Sequence, residues 1–445
     1  MLLALGVTSS ARQHCYNAPR IIFGDEVGPV IRKAVFQICL VVLTVACDSA
    51  TEPQFRTPRV IQAALGYGHG CALTDDGALY CWGLNGAGQV GVPPAADSCQ
   101  AIPAPFSCVK QPVRVMPSYQ FVQVAAGGNF TCAMTADGQV LCWGSNAWGQ
   151  MGVEEPVGPC PDPDNCRVHL DGVVTPWGAD VRQFNAHAGY MCGLDNEGLA
   201  VCWGSNDHGQ LARQPVMRTL LPPERISGTV AFRALGLGPQ HACGVSTQGR
   251  AYCWGSNEYG QLGGAGTWLS CYAQPCAIQP VPVAGGMTFS AVVAGAVHSC
   301  GLRRDGRAYC WGSNQNGQLG VAGPGMSTTP VAVSGGHRFK ALTSGLNYNC
   351  ALTLAGKAYC WGWRYAGALG DGYSSATGYA SAPVAVSGDH TFSSIVAGGE
   401  STCGITRYGN LMCWGNNLSG SLGVGRQGIQ AVPEWVTLPL PAPTT

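Results

Sequence analysis

Thr131-Cys-Ala-Met-Thr-Ala-Asp-Gly-Gln-Val-Leu-Cys-Trp-Gly144 is the stretch on which the fold turns. Two short runs flank Ala136-Asp137-Gly138, the pattern of a hairpin with a three-residue loop, a type I turn followed by Gly in the left-handed region. With Thr135 paired to Gln139, counting outward sets Cys132 opposite Cys142 at a site of the non-hydrogen-bonded type. Such pairs have Cα atoms about 4.5 Å apart, inside the span a disulfide accepts. A cross-strand disulfide within one hairpin is therefore expected.

The same unit recurs along the chain. Cys-Trp-Gly occurs at Cys81, Cys142, Cys202, Cys253, Cys310, Cys360 and Cys413. Each copy has a partner Cys ten residues upstream, namely Cys71, Cys132, Cys192, Cys243, Cys300, Cys350 and Cys403. Seven hairpin disulfides follow from one spacing. Two more strand-like pieces precede each hairpin, for example Pro112–Val115 and Phe121–Gly127, so the unit has four strands. A sheet of that size cannot bury its own faces, and radial stacking of such units gives a β-propeller. The expected fold is all-β: a seven-bladed β-propeller of four-stranded antiparallel blades over residues 59–439. The first unit starts at Val60-Ile61 without a Pro-initiated strand, and Pro433-Glu434-Trp435-Val436 follows the last hairpin. The ring is thus expected to close by the C-terminal strand completing the first blade.

Composition agrees with an all-β chain and narrows its partners. The 445 residues include 64 Gly and 29 Pro, with only 11% charged. Lys+Arg and Asp+Glu balance at 24 each, so there is no basic field of the kind that drives nucleic-acid binding. Twenty-three cysteines without metal-type spacing point to an oxidising compartment. Arg32 and Lys33 precede the apolar run Ala34–Ala46, which ends at Val45-Ala46-Cys47, so residues 32–47 read as a signal peptide. Its ending resembles the lipobox of bacterial lipoproteins, with lipidation expected at Cys47, although Leu43 lies one place too early and Thr44 stands there instead. Residues 1–31 read as an extension ahead of a true start near Val30, 48–58 as a linker and 440–445 as a tail.

Gly-Ser-Asn-x-x-Gly-Gln-Leu-Gly after the Trp (Gly255–Gly263, Gly312–Gly320), with His-x-Cys entering the hairpin at His69, His241 and His298, resembles the regulator of chromosome condensation repeat. The resemblance covers about residues 59–439. It implies the seven-bladed propeller, which also occurs in a secreted bacterial inhibitor of β-lactamases. Transfer from the family's nuclear member would imply guanine-nucleotide exchange, which the cysteine usage and the signal argue against. Blade 6 departs from the repeat at Trp363-Arg364-Tyr365-Ala366-Gly367-Ala368-Leu369-Gly370, and blade 3 ends in Gln210-Leu211-Ala212.

The residues favour binding over chemistry. No catalytic order, phosphate loop or acidic pair stands out, and no cofactor is expected. The three His read as structural, bonded to local backbone, because Phe130, Tyr190, Tyr348 and Ser401 hold the equivalent positions elsewhere. Six further cysteines form local pairs in insertions between blades, Cys99 with Cys108, Cys160 with Cys166, and Cys271 with Cys276. All three insertions follow the Gly-Gln-Leu-Gly position, so they emerge on one face, where disulfide bracing would preorganise a recognition surface. Trp177, Trp268, Tyr272, Trp363, Arg364 and Tyr365 are the candidate partner-binding residues there. The expected function is a non-enzymatic exported scaffold, monomeric, secreted or lipid-anchored to the cell envelope, that engages a protein or glycan. A propeller lyase or hydrolase of the envelope is the rival from another class.

Overall fold

The computed structural model describes residues 58–93, 98–99, 106–153, 168–174 (backbone), 181–215, 221–266, 268–374 and 377–439. The signal segment, Cys47, Cys160, Cys166, Trp177 and residues 440–445 lie outside them. Seven antiparallel sheets follow one another along the chain. Blade 2 shows the plan: inner strand Phe121–Ala126, second strand Phe130–Thr135, third strand Val140–Ser145 and outer strand Val168–Val174, paired in that order. Blades 1 and 4 each add a short fifth strand, Ser98–Cys99 and Leu269–Cys271, outside the fourth. Inner strands of all seven blades line one central cavity of about 370 Å³, which makes the assembly a seven-bladed propeller.

The turn chemistry sets the hairpin register. Thr135 N donates to Gln139 O and Gly138 N to Thr135 O, closing the loop with Gly138 at φ 86°. Cys132 then stands opposite Cys142, and the same register holds in every blade. All seven hairpins carry their disulfide, with Cα atoms 4.0 to 4.1 Å apart. The hairpin cysteines and six of the seven motif Trp side chains are fully buried, and Trp203 is nearly so.

Prolines mark the outer strands. Pro112, Pro282, Pro330, Pro383 and Pro433 all sit on the fourth strand of a blade, the one position where a missing N–H costs no second ladder.

The phase of the repeat differs from the sequence expectation. Val113 of the Pro-initiated strand pairs with Cys81 of the preceding hairpin, so that strand ends blade 1 and does not begin blade 2. The C-terminal strand Gly428–Val436 likewise pairs with Leu411–Asn417 and completes blade 7, not blade 1. A periodic pattern has no intrinsic starting point, and both phasings bury the same surfaces. The ring closes without strand exchange. Val60 N donates to Gly409 O at 2.8 Å, and Arg59 caps the carbonyls of Arg407 and Tyr408.

This order defines two faces. Hairpin turns and the connections between blades lie on one, here called the turn face. Connections from inner to second strand and from third to outer strand lie on the other, the loop face. The cysteine-bearing insertions therefore join the third and outer strands of a single blade, not neighbouring blades. Both described ends of the chain reach the turn face, since Val60 pairs with Thr74 and Val436 with Leu411.

Ending the chain at Ala431 should strip the edge of blade 7 and lower the melting temperature by several degrees. Hydrogen exchange should then show protection lost on Leu411–Cys413, the partners of the deleted residues, and kept on Val60–Leu65; the reverse pattern would mean that strand closes blade 1. Reduction should also destabilise strongly, each short loop contributing at most about 2–3 kcal/mol on the chain-entropy model. Non-reducing peptide mapping should find each hairpin Cys joined to its partner ten residues away.

Candidate functional site

The loop face is built from the repeat itself. Asn314 Oδ1 accepts from Leu319 N and its amide reaches Val321 O, while Gln318 Oε1 accepts from Asn316 N. The same Asn staple recurs at Asn85, Asn146, Asn206, Asn257 and Asn417. The final Gly of the motif packs on the Trp of the next blade, as Gly263 does on Trp311, at φ 66°. Blade 3 has Ala212 there, and the residue is held at φ 51°, outside the usual range for a side chain.

In blade 6, Arg364 takes the place of the stapling Asn. Its guanidinium meets Asp371 at 3.0 Å and lies over the Tyr373 ring, 4.5 Å from its centroid. Asp371 is thus the second half of a loop staple and not only a turn residue. Arg364, grouped by sequence with the binding aromatics, is engaged in holding its own loop. Trp363 and Tyr365 remain half-buried and stack face to face, 4.7 Å between centroids. Tyr379, paired in register with Trp363, lies against Gly317 of blade 5.

The other candidates divide. Tyr272 projects from the turn closed by the Cys271–Cys276 disulfide, whereas Trp268 packs on the core of blade 4. Cys99 and Cys108 are bonded and fully buried. Sequence reasoning missed Leu269, Met326, Tyr379, Leu418 and Ile429. They stand on the same face across blades 4 to 7, each between 43% and 55% exposed. Register from the Cys-Trp-Gly strand finds three of them, because Met326, Tyr379 and Ile429 pair with equivalent residues Ser313, Trp363 and Asn416.

The central cavity offers little chemistry. Ala, Val, Leu and Gly dominate its wall, and no Asp, Glu, Lys or Arg is among the described residues lining it. His69, His241 and His298 do not converge. Each reaches the next blade through Nε2, to Thr131 Oγ1 at 2.9 Å, Ser299 Oγ at 2.8 Å and Asn349 Oδ1 at 3.0 Å. The two hydroxyls give their own protons to Gln89 and Gln261 carbonyls, so the imidazoles donate. The partners are therefore side chains one blade away, where local backbone was expected. Among the described residues no group of His, Cys, Asp or Glu could hold a metal ion. Nor is any described helix long and apolar enough to cross a membrane.

A family model described as an RCC1-like domain matches residues 42–387, and a regulator of chromosome condensation (RCC1) repeat model matches 392–421. The chain belongs to the RCC1-like family. It is 31% identical over 266 residues to the mouse secretion-regulating guanine nucleotide exchange factor, covering 57% of this chain and 52% of that protein. It is 26% identical to the Arabidopsis thaliana ultraviolet-B receptor UVR8, covering 59% and 55%. This RCC1-like chain thus spans about half the length of the curated relatives it matches. Yeast RCC1 (Prp20), solved bound to Kap60, superposes with a TM-score of 0.68 at 19% identity, over 88% of this chain and 87% of that one, a likeness of fold.

Burial holds His69 and His298 at about 4 and His241 at about 3, against an ordinary 6.5. Their Nδ1 atoms are buried without an acceptor for a second proton. Unfolding lets these groups bind protons that the folded state refuses. Stability is therefore complete above about pH 6.5 and lost as pH falls toward 4, by up to about 1.4 kcal/mol per pH unit for each His. Melting temperatures from pH 7 to 5 should fall, and His241→Gln should flatten the slope. Arg364→Ala, which strands Asp371, should cost about 1–3 kcal/mol, so that substitution reads out folding and not only binding.

Proposed function

We propose that this chain is a non-enzymatic binding scaffold of an oxidising, exported environment that captures a protein partner on its loop face. The observation that carries the reading is the arc of exposed and half-buried apolar and aromatic side chains over blades 4 to 7. Leu269 and Tyr272, Met326, Tyr379 with the Trp363–Tyr365 stack, and Leu418 with Ile429 follow one another around the ring. Aliphatic residues interleaved with Tyr, Trp and Met suit the core of a protein interface. A sugar would instead call for polar groups flanking the rings.

The support for a rigid platform is physical. The staple of each loop and the Cys271–Cys276 brace fix the backbone before binding, so less ordering entropy is lost on association. Nine disulfides among the described residues accord with an oxidising compartment. Export through residues 32–47 and lipidation of Cys47 belong to the same proposal.

A photo-crosslinking amino acid at Met326 or Ile429 should capture one discrete protein in the native host, and the same probe at Asp137 on the turn face should not. Trp363→Ala with Tyr365→Ala should reduce that adduct more than about tenfold at an unchanged melting temperature. Adducts that form equally from both faces would sink the assignment. A glycan-bearing adduct sensitive to deglycosylation would shift the partner class, and stimulated nucleotide release from a GTPase would favour the exchange-factor reading.

A further inference from the structure

The turn face carries a charge that the proposed function does not use. In the turns and connections of blades 5 and 6, residues 302–308, 333–340, 353–358 and 386–391, stand six bases: Arg303, Arg304, Arg307, Arg338, Lys340 and Lys357. Only two carboxylates share those segments, Asp305 and Asp389, so the local formal charge is 6 − 2 = +4 in a chain whose net charge is 0. Each acid pairs with one base, Asp389 with Lys357 and Asp305 with Arg303 at 3.9 Å, which leaves the other four bases to carry the charge. Arg304, Arg307, Arg338 and Lys340 are exposed and without an ion pair among the described residues.

Beside this charge two apolar side chains protrude. Leu354, at the tip of the blade 6 turn, is 74% exposed, and Tyr408, at the tip of the blade 7 turn, is 64% exposed. Arg407 lies over the Tyr408 ring, 4.6 Å from its centroid. A soluble polyanion would find the bases but have no use for a bare Leu. A bilayer uses all three elements: bases meet lipid phosphates, Tyr sits at headgroup level, and Leu enters the acyl boundary.

The chain's path agrees. Pro58 enters the propeller on this face, where Arg59 N donates to Asp75 Oδ1 and Val60 N to Gly409 O. Ahead of it, the apolar run 34–46 ends at Cys47, eleven residues from Pro58, a span of at most about 40 Å when extended. A chain anchored at Cys47 would keep this face within that distance of the membrane.

We propose that the turn face of blades 5 to 7 docks on an anionic phospholipid surface, with the loop face directed away from it. The site stands independently of the partner on the loop face. Its probe is flotation of the full chain with phosphatidylcholine vesicles, pure or containing about one-third phosphatidylglycerol. Binding should be tighter on the anionic vesicles and fall steeply with added NaCl. Arg304→Glu with Arg307→Glu and Lys340→Glu should weaken it at least about tenfold, at an unchanged melting temperature because all three side chains are exposed.

Leu354→Ser with Tyr408→Ser should weaken vesicle binding while leaving retention of a single-stranded DNA oligonucleotide unchanged. The apolar N-terminal run is common to every variant, so binding through it alone would be equal on neutral vesicles and insensitive to salt. That result would overturn the proposal. So would binding indifferent to the charge reversal, or an oligonucleotide held tightly by a chain that ignores anionic vesicles.

Discussion

Seven indole N–H groups hold the ring together. Each motif Trp donates Nε1–H to a main-chain carbonyl in the preceding blade: Trp143 to Gln89, Trp203 to Gln150, Trp254 to Gln210, Trp311 to Gln261, Trp361 to Gln318, Trp414 to Ala368 and Trp82 to Ser421, at 2.8 to 3.1 Å. Each bond is buried, so losing one leaves a desolvated carbonyl unpaired as well as a void. The rest of the repeat places that carbonyl. The Asn staple curls the loop, the Leu anchors it, and the Gly lets the indole lie flat against it. Because the acceptor is backbone, the side chain there is free to vary. Ala368 and Ser421 serve as well as Gln, which is how blade 6 can lose the motif without opening the ring.

A second contact gives each joint its own character. The residue two places before the first hairpin Cys faces the residue one place before that Cys in the next blade. His69 meets Thr131, His241 meets Ser299, His298 meets Asn349, and Tyr348 meets Thr402. Phe130 shares an apolar cluster with Met191. Four of these pairs are polar and the one Phe faces Met; opposite Tyr190 the next blade has Ala242, and the Tyr190 hydroxyl donates instead to the carbonyls of Gly238 and His241. Identical Trp bonds thus fix the geometry of the joints, while variable pairs distinguish one joint from another.

The hairpins were legible because turn chemistry and a fixed cysteine spacing act within fourteen residues. Their assignment to blades was not, since which hairpin owns Pro112–Val115 depends on a pairing that the repeat leaves open in both directions. The histidine partners were hidden for a related reason. Thr131 is a near neighbour of His69 only after blades 1 and 2 have packed. The structural part played by Arg364 was hidden too: between Trp363 and Tyr365 it reads as an interface anchor, and only the fold brings Asp371 to it. The exposed arc was partly recoverable, because Met326, Tyr379 and Ile429 hold one register position that the Cys-Trp-Gly strand defines.

The cysteine pairing also sets an order in time. In every hairpin the correct partner is the nearest repeat thiol along the chain, ten residues away, so oxidation can proceed as each hairpin emerges, with no long loop to close first. The bond from Trp82 to Ser421, 339 residues distant, can form only when the seventh blade is finished. Covalent stapling is local and early, whereas closure of the circle is remote and late, which puts the slow step of folding at the joint between the first blade and the last.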